Sequence, residues 1–203
     1  AVANYLDTLR DAAGPALSAN RTMGALASVV ASRIARELRC GGPSFTISSE
    51  ECSGIRALEG AVRALQHKEL NQAIVGAVDL AGDVRAMLSA HRHSPYSPTG
   101  EGAGFNTGSD GTLFGEGATA FVLKRLDDAE RDGDVVYAVI KGLGHASQGG
   151  VDESLTPAPY QAAMERAFQE AHCETSAVSL VETHGSGIEQ EDQCEAQALA
   201  ARF

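Results

Sequence analysis

The sequence predicts an α/β fold, and three observations predict it. Short apolar and β-branched runs, such as Ala-Ile-Val-Gly-Ala-Val at 73–78, are bounded by polar or glycine turns. Longer segments carry apolar residues at three- and four-residue steps, as Ile55, Leu58, Val62 and Leu65 do. The two kinds of segment alternate along the chain, the pattern of helices layered on a sheet. With 203 residues, 43% hydrophobic and 21% charged, the chain can bury a core and is one domain or a large part of one.

Residues 1–20 are weakly patterned and broken at Gly14-Pro15, which reads as a short helix and a loop. From Arg21 to Leu38, Met23, Leu26, Val30 and Ile34 recur at helical steps, with Ala25, Ala27, Ala31 and Ala35 between them. So many small residues predict a closely packed helix in an interior position, ended by Cys40-Gly41-Gly42. Phe45 and Ile47 then alternate with Ser44, Thr46 and Ser48 as in a strand, ahead of the helix of Ile55 to Leu65. The continuous apolar run within 71–80 reads as a strand buried on both faces. Strand, helix and strand at this spacing predict a βαβ unit and a largely parallel sheet.

Further on, a short helix is expected over 84–91, a long loop over 93–111 and a strand over 119–126. A charged helix or turn (126–134), a β-branched strand (135–143) and a second loop (144–159) follow. The last elements are an amphipathic helix (159–172) through Ala163, Ala167 and Phe168, a short buried strand (178–182) and a helix (192–202). Gly115 and Gly117 have dinucleotide-like spacing but precede a strand instead of opening a helix, so a nucleotide site is rejected. No short-period repeat or low-complexity segment is evident.

Composition narrows the function. A net charge of −11 without a basic cluster argues against an autonomous nucleic-acid binder. No apolar run is long enough for a membrane span, and no signal peptide is evident. Cys40, Cys52, Cys173 and Cys194 lack paired spacing, so they read as reduced and the compartment as cytoplasmic. The chain does not start with methionine, and a helical pattern still runs at Phe203, so it is expected to be a piece of something longer.

Chemistry concentrates in two places. Ser49-Glu50-Glu51-Cys52-Ser53 stands where a strand becomes a helix, and free N–H groups and the helix dipole there favour a nucleophilic or anionic side chain. The alternative is that Ser49 and the two glutamates simply cap the helix. Thr183-His184-Gly185-Ser186-Gly187 lies at the carboxyl end of a strand, where open α/β sheets place their ligands. The paired His91 and His93 lack a third ligand nearby, which argues against a metal. Glu59, Arg63 and Lys68 read as a solvated helix face. His67, His145 and His172 read as surface or satisfied histidines, and the Gly102–Gly117 loop either touches substrate or simply connects.

Taken together, these stretches resemble the β-ketoacyl synthase (ketosynthase) family of the thiolase fold. Gly42-Pro43-Ser44-Phe45-Thr46 resembles the lead-in to the family's nucleophile. Phe105-Asn106, Asp110-Gly111 and Gly115-Glu116-Gly117-Ala118 are similar to its Phe-Asp, Asp-Gly and Gly-Glu-Gly-Ala stretch. Its Glu-Ala-His-Gly-Thr-Gly-Thr motif is matched by Glu182 to Ile188, and its Gly-Asp-Pro-x-Glu-Ala by Glu191 to Ala196. The match runs roughly from Asn20 to Leu199 and implies a layered, thiolase-like α-β-α fold. Residues 1–203 would then be a partial ketosynthase-like domain, the end of its first repeat and the start of its second.

The resemblance implies an acyltransferase whose substrate is an acyl or malonyl group on the phosphopantetheine of an acyl carrier protein, with no bound cofactor. His184 would correspond to the family histidine that stabilises the enolate and oxyanion in malonyl decarboxylation. The nucleophile departs from the pattern. Counted without a gap from Gly42, or backwards from Ala57-Leu58, the cysteine position holds Glu51, and Cys52 stands one residue late. A step along a helical turn rotates a side chain by about 100°, which would aim Cys52 away from the channel. A carboxylate cannot store an acyl group as a thioester does, because the mixed anhydride is too reactive. Glu51 either mimics or hydrogen-bonds a bound group, or serves as a carboxylate at a helix N-terminus.

The resulting expectation is a non-condensing, chain-length-factor-like component of a polyketide or polyunsaturated fatty acid synthase. It would pair with an active ketosynthase, or with a second copy of itself, and with an acyl carrier protein. The alternatives are a malonyl decarboxylase, a condensing enzyme using Cys52 as nucleophile, and a purely structural docking segment.

Overall fold

The computed structural model describes residues 4–8, 18–24, 26–80, 84–148 and 154–203. The expected break at Gly14-Pro15, Ala25 and the middle of the second loop lie outside the described residues. The chain divides into two compact units, Ala1–Leu70 and Asn71–Phe203.

In the first unit, residues 4–8 are helical, and helices α1 (Ala19–Gly24), α2 (Ala27–Glu37) and α3 (Ser53–Gln66) follow. The single helix expected over 21–38 is thus two. The small-residue helix α2 was expected in an interior, yet it has no buried residue, and Val30 is 52% exposed. Helical spacing identifies which face is apolar; it does not determine what covers that face. On α3, Leu65 is buried, Leu58 and Val62 are half-buried, and Ile55 is exposed. On the face read as solvated Lys68 is exposed, and Glu59 lies 2.8 Å from Arg56 and 4.0 Å from Arg63.

The second unit begins with strand β1 (Gln72–Asp79), helix α4 (Val84–Ala90), strand β2 (Gly117–Lys124) and helix α5 (Leu126–Asp132). Helices α6 (Ala158–Ala171) and α7 (Glu189–Arg202) complete it, with a 3₁₀ turn at Thr175–Ala177 between them. The ladder among the described residues overturns the parallel expectation. Strands β1 and β2 pair antiparallel, from Gln72 opposite Lys124 to Asp79 opposite Gly117. Nor is β1 buried on both faces: Val75 is buried and Ala73 and Ala77 half-buried, while Ile74 and Val78 are exposed. Alternation of elements does not fix strand direction, because direction depends on which chain segment lies alongside.

The strands expected at 44–48, 135–143 and 178–182 carry no ladder among the described residues. Strand-like composition favours a pleated, half-buried setting, and a ladder also needs a neighbour. Tyr137, within the second of these, is 95% exposed. Residues 142–144 instead lie on α6. A Cβ on Gly142 or Gly144 would run into the main chain at Ala167 or Ala163, so the two backbones meet there. Leu143 N–H donates to Glu170 Oε2 at 3.1 Å in the same seam.

Helices α2, α3 and α6 each close with a left-handed residue that is not glycine: Arg39 (φ 53°), Lys68 (φ 60°) and His172 (φ 48°). At α3, Lys68 N–H donates to Leu65 O at 3.1 Å and Glu69 N–H to Ala64 O at 3.0 Å, closing the last turn. Helix α5 closes the same way on Gly133 (φ 74°), which meets no steric penalty there. Lys68→Gly should therefore stabilise the protein by about 1 kcal/mol, while Gly133→Ala should destabilise it by a similar amount. Opposite shifts in Tm would bear this out, and a loss of stability in Lys68→Gly would refute it.

Candidate functional site

The first candidate stretch is a tight turn. Glu50 is left-handed (φ 50°), Cys52 N–H donates to Ser49 O at 3.0 Å, and Ser53 N–H donates to Glu50 O at 3.1 Å. The Ser53 hydroxyl donates to Glu50 O at 2.6 Å and accepts from Ser49 N–H at 2.8 Å. Cys52 is the N-cap of α3, and no side chain caps the helix. The capping reading of Ser49 and the glutamates therefore fails: Ser53 ties the turn, and it acts from inside the helix. Glu51 and Cys52 are both exposed and both precede the first helical turn. The 100° helical step accordingly does not describe the relation between their side chains.

The second stretch is more built. Helix α7 turns Asp192, Glu195 and Ala198 to one face by their three-residue spacing, and all three are buried. Glu195 Oε1 accepts His184 N–H at 2.8 Å, and Oε2 accepts Gly185 N–H at 3.0 Å. Asp192 Oδ1 accepts from Gly187 N–H and the Ser186 hydroxyl, each at 3.3 Å. Its Oδ2 takes Phe105 N–H at 2.7 Å, from a loop 87 residues earlier in the chain. The Ser109 hydroxyl of that loop donates to Gly187 O at 2.7 Å.

Glycine is required where these two loops touch. A Cβ on Gly104 would stand 2.6 Å from Gly185 O, so nothing larger fits. Gly185 (φ 55°) and Gly187 (φ 78°) adopt conformations that L side chains rarely take. The turn they form holds His184 by its backbone while its imidazole is exposed, without a hydrogen bond among the described residues. In the sequence Asp192 and Glu195 stand out only as letters of a motif, whereas in the fold their carboxylates bind the turn that carries His184. The available signal was two acidic residues three apart, directly after a glycine-rich turn.

The long loop has its own order. Ser97 N–H donates to Thr112 O and Thr112 N–H to Pro95 O, each at 2.9 Å. His91 Nδ1 accepts Tyr96 N–H at 3.0 Å, and the two rings stack 5.8 Å apart, which gives His91 a structural role. No group of three His, Cys, Asp or Glu among the described residues is arranged for a metal. No described helix is long and apolar enough to cross a membrane. Gly117 is the first residue of β2, which starts two residues earlier than expected, so the Gly-x-Gly leads into a strand and opens no helix.

Several carboxylates sit below their ordinary range. The Ser97 and Thr99 hydroxyls hold Asp110 down. Arg131 and then Arg125 do the same for Asp128, and Lys124 and then Arg131 for Asp132. Gln169 and then Arg202 lower Glu165. Burial, then Glu191 and Glu195, push Tyr160 up. Each lowered acid binds its proton more weakly when folded than when unfolded, so protonation favours the unfolded chain. Their contribution is complete above about pH 4 and is lost as pH falls below it. Tm should drop between pH 5 and pH 3, less steeply in Asp128→Asn; identical profiles for the two proteins would contradict this assignment.

Comparison with known proteins now places the chain. The profile of the β-ketoacyl synthase N-terminal domain matches residues 3–129, and that of the C-terminal domain matches residues 137–203. The chain belongs to the β-ketoacyl synthase family. Polyketide synthase GfsA of Streptomyces halstedii is 34% identical over 185 residues, 89% of this chain and 2% of that protein. Polyketide synthase PksL of Bacillus subtilis is 36% identical over 187 residues, 91% of this chain and 4% of that one. The ketosynthase from module 6 of the bacillaene synthase of Bacillus subtilis 168 shares the fold with a TM-score of 0.83 at 32% identity. That similarity covers 90% of this chain and 33% of the solved one, so the chain spans about a third of that ketosynthase. The fold is the thiolase-like α/β fold of the ketosynthases.

Proposed function

We propose that this chain is part of a non-condensing, chain-length-factor-like ketosynthase domain of a polyketide or polyunsaturated fatty acid synthase. It shapes the channel for an acyl chain held on the phosphopantetheine of an acyl carrier protein. It pairs with an active ketosynthase, or with a second copy of itself, and works in the cytoplasm. The observation that carries the reading is Glu51 at the family's nucleophile position. A carboxylate there can accept a hydrogen bond from a bound group, but it cannot keep an acyl chain through a catalytic cycle. His184, with its main chain fixed and its ring exposed, remains suited to face a thioester carbonyl.

One observation favours a second reading. Cys52 is exposed at the N-cap of a 14-residue helix, a place where a thiol is accessible to an acyl donor. In that case the protein condenses through Cys52, or decarboxylates malonyl groups through His184. Mass spectrometry of the full-length protein after incubation with acyl-carrier-protein thioesters separates these outcomes. No adduct on residues 42–66 is expected, and product should form only when the active ketosynthase is added. A thioester on Cys52 would overturn the non-condensing reading; CO₂ release from malonyl donors without an adduct would select the decarboxylase.

A further inference from the structure

Away from the turn at Glu51 and the turn at His184, the long loop rests on an imidazole used as an acceptor. His91 directly follows α4, and its Nδ1 accepts Tyr96 N–H at 3.0 Å. A ring nitrogen accepts only when it carries no proton, so the proton of neutral His91 is on Nε2. The ring also lies on Tyr96, with centroids 5.8 Å and planes 29° apart, and Tyr96 meets Phe114 edge-on at 6.2 Å. Tyr96 is the middle of a short bridge to Thr112: Ser97 N–H donates to Thr112 O, and Thr112 N–H donates to Pro95 O, each at 2.9 Å. Gly111 fits closely against the same stretch, since a Cβ there would stand 2.6 Å from Pro95 O and from Ser97 N. Gly111 also reaches the histidine turn, because a Cβ on Gly187 would stand 2.5 Å from its carbonyl oxygen.

We propose that His91 is a pH-sensitive latch on the long loop: as a neutral imidazole it holds residues 95–97 against 111–112, and as an imidazolium it releases them. An imidazole changes charge between about pH 5 and pH 8. Protonation turns Nδ1 into a donor that faces Tyr96 N–H, so the bond is lost and two donors oppose each other. Stacking does not replace it. A cation is attracted to an aromatic face, which keeps the ring near Tyr96 but supplies no acceptor. Tyr96 is the titratable group against the ring, Arg92 and His93 follow it in the chain, and no carboxylate among the described residues bonds to it.

The loop's other tie keeps its charge across this window. Asp110 Oδ2 accepts the Thr99 hydroxyl at 2.8 Å, and the Ser97 and Thr99 hydroxyls hold that carboxyl below its ordinary range. Asp110 therefore stays ionised from about pH 8 down to pH 5, and the change in the loop belongs to the imidazole. The direction follows: the bridge is closed at the upper end of the window and opens as pH falls.

Hydrogen exchange of the full-length chain, read by mass spectrometry and corrected for the intrinsic rate at each pH, tests the latch. Exchange in 95–99 and 111–114 should be about fivefold faster near pH 5.5 than near pH 7.5, while 189–202 is unchanged. His91→Asn keeps an acceptor that does not titrate, so both segments should stay slow at both pH values. His91→Phe keeps a ring on Tyr96 without an acceptor, so both should be fast at both. Equal protection at the two pH values in the unsubstituted protein would overturn the proposal, and so would a pH response that survives in His91→Asn. Slow exchange in His91→Phe near pH 7.5 would show that stacking alone holds the loop, and a loss shared by 189–202 would mean that the whole unit loosens; either result refutes the latch. No acyl ligand enters these measurements, so the latch and the non-condensing reading fail separately.

Discussion

Replacing Asp192 with alanine is expected to destabilise the domain by about 3 kcal/mol or more. The carboxylate accepts two main-chain N–H groups and one hydroxyl in a buried setting. A hydrogen bond to a charged group contributes about 1.5–3 kcal/mol, and each donor left without an acceptor loses about 1–3 kcal/mol. Methyl replacement strands Phe105 N–H and Gly187 N–H together, and water reaches the space only if the loop opens. Glu189→Ala is the control on the same helix: that residue is exposed and among the described residues its side chain bonds only Gln193, so its removal should stay within about 0.5 kcal/mol. Denaturant unfolding of the full-length chain measures both. A loss under about 1 kcal/mol for Asp192→Ala would mean that solvent already serves those donors.

How much of this was legible in the sequence depends on how local each feature is. Helices α3 to α7 lie close to where apolar spacing put them, because a helix satisfies its backbone within itself. The strand at Gln72–Asp79 was legible as a strand, but its antiparallel neighbour and its single covered face were not. Pairing and cover come from residues far along the chain. Residues 44–48, 135–143 and 178–182 have strand-like composition without a ladder among the described residues, for the same reason.

The site divides in the same way. His184 and Glu51 each stand in a motif that lies within one stretch of sequence. The bonds that Asp192 and Glu195 accept were not legible there, because the one from Phe105 to Asp192 joins positions 87 apart, and acidic residues on a helix usually face solvent. Burial is what distinguishes Asp192 and Glu195 from the exposed Glu189 of the same helix. Position 53 shows the converse. Ser53 reads as one of a polar cluster, and only the folded turn reveals that its hydroxyl closes the chain reversal before α3.

Gly104→Ala should be nearly as damaging as the loss of Asp192, and it acts from the opposite side of the same junction. The added methyl would stand 2.6 Å from Gly185 O and 2.7 Å from Gly185 Cα, and both obstacles are backbone. No rotamer change relieves such a clash, so one of the loops must retreat. The turn is pinned by Glu195, hence the 102–111 loop is the part that yields. Its retreat stretches the 2.7 Å bond from Phe105 to Asp192 and the 2.7 Å bond from Ser109 to Gly187. Overpacking costs about 1–3 kcal/mol and a weakened charge-assisted bond up to about 1.5–3 more, so the loss should fall at about 2.5–6 kcal/mol. Gly108→Ala supplies the comparison, since its site meets only Asn106 Oδ1 at 3.9 Å and φ is not left-handed. A Gly104→Ala protein as stable as Gly108→Ala would show that the loop and the histidine turn do not touch in solution. A protein destabilised as expected, with His184 altered in reactivity, would tie the loop to the turn that carries His184.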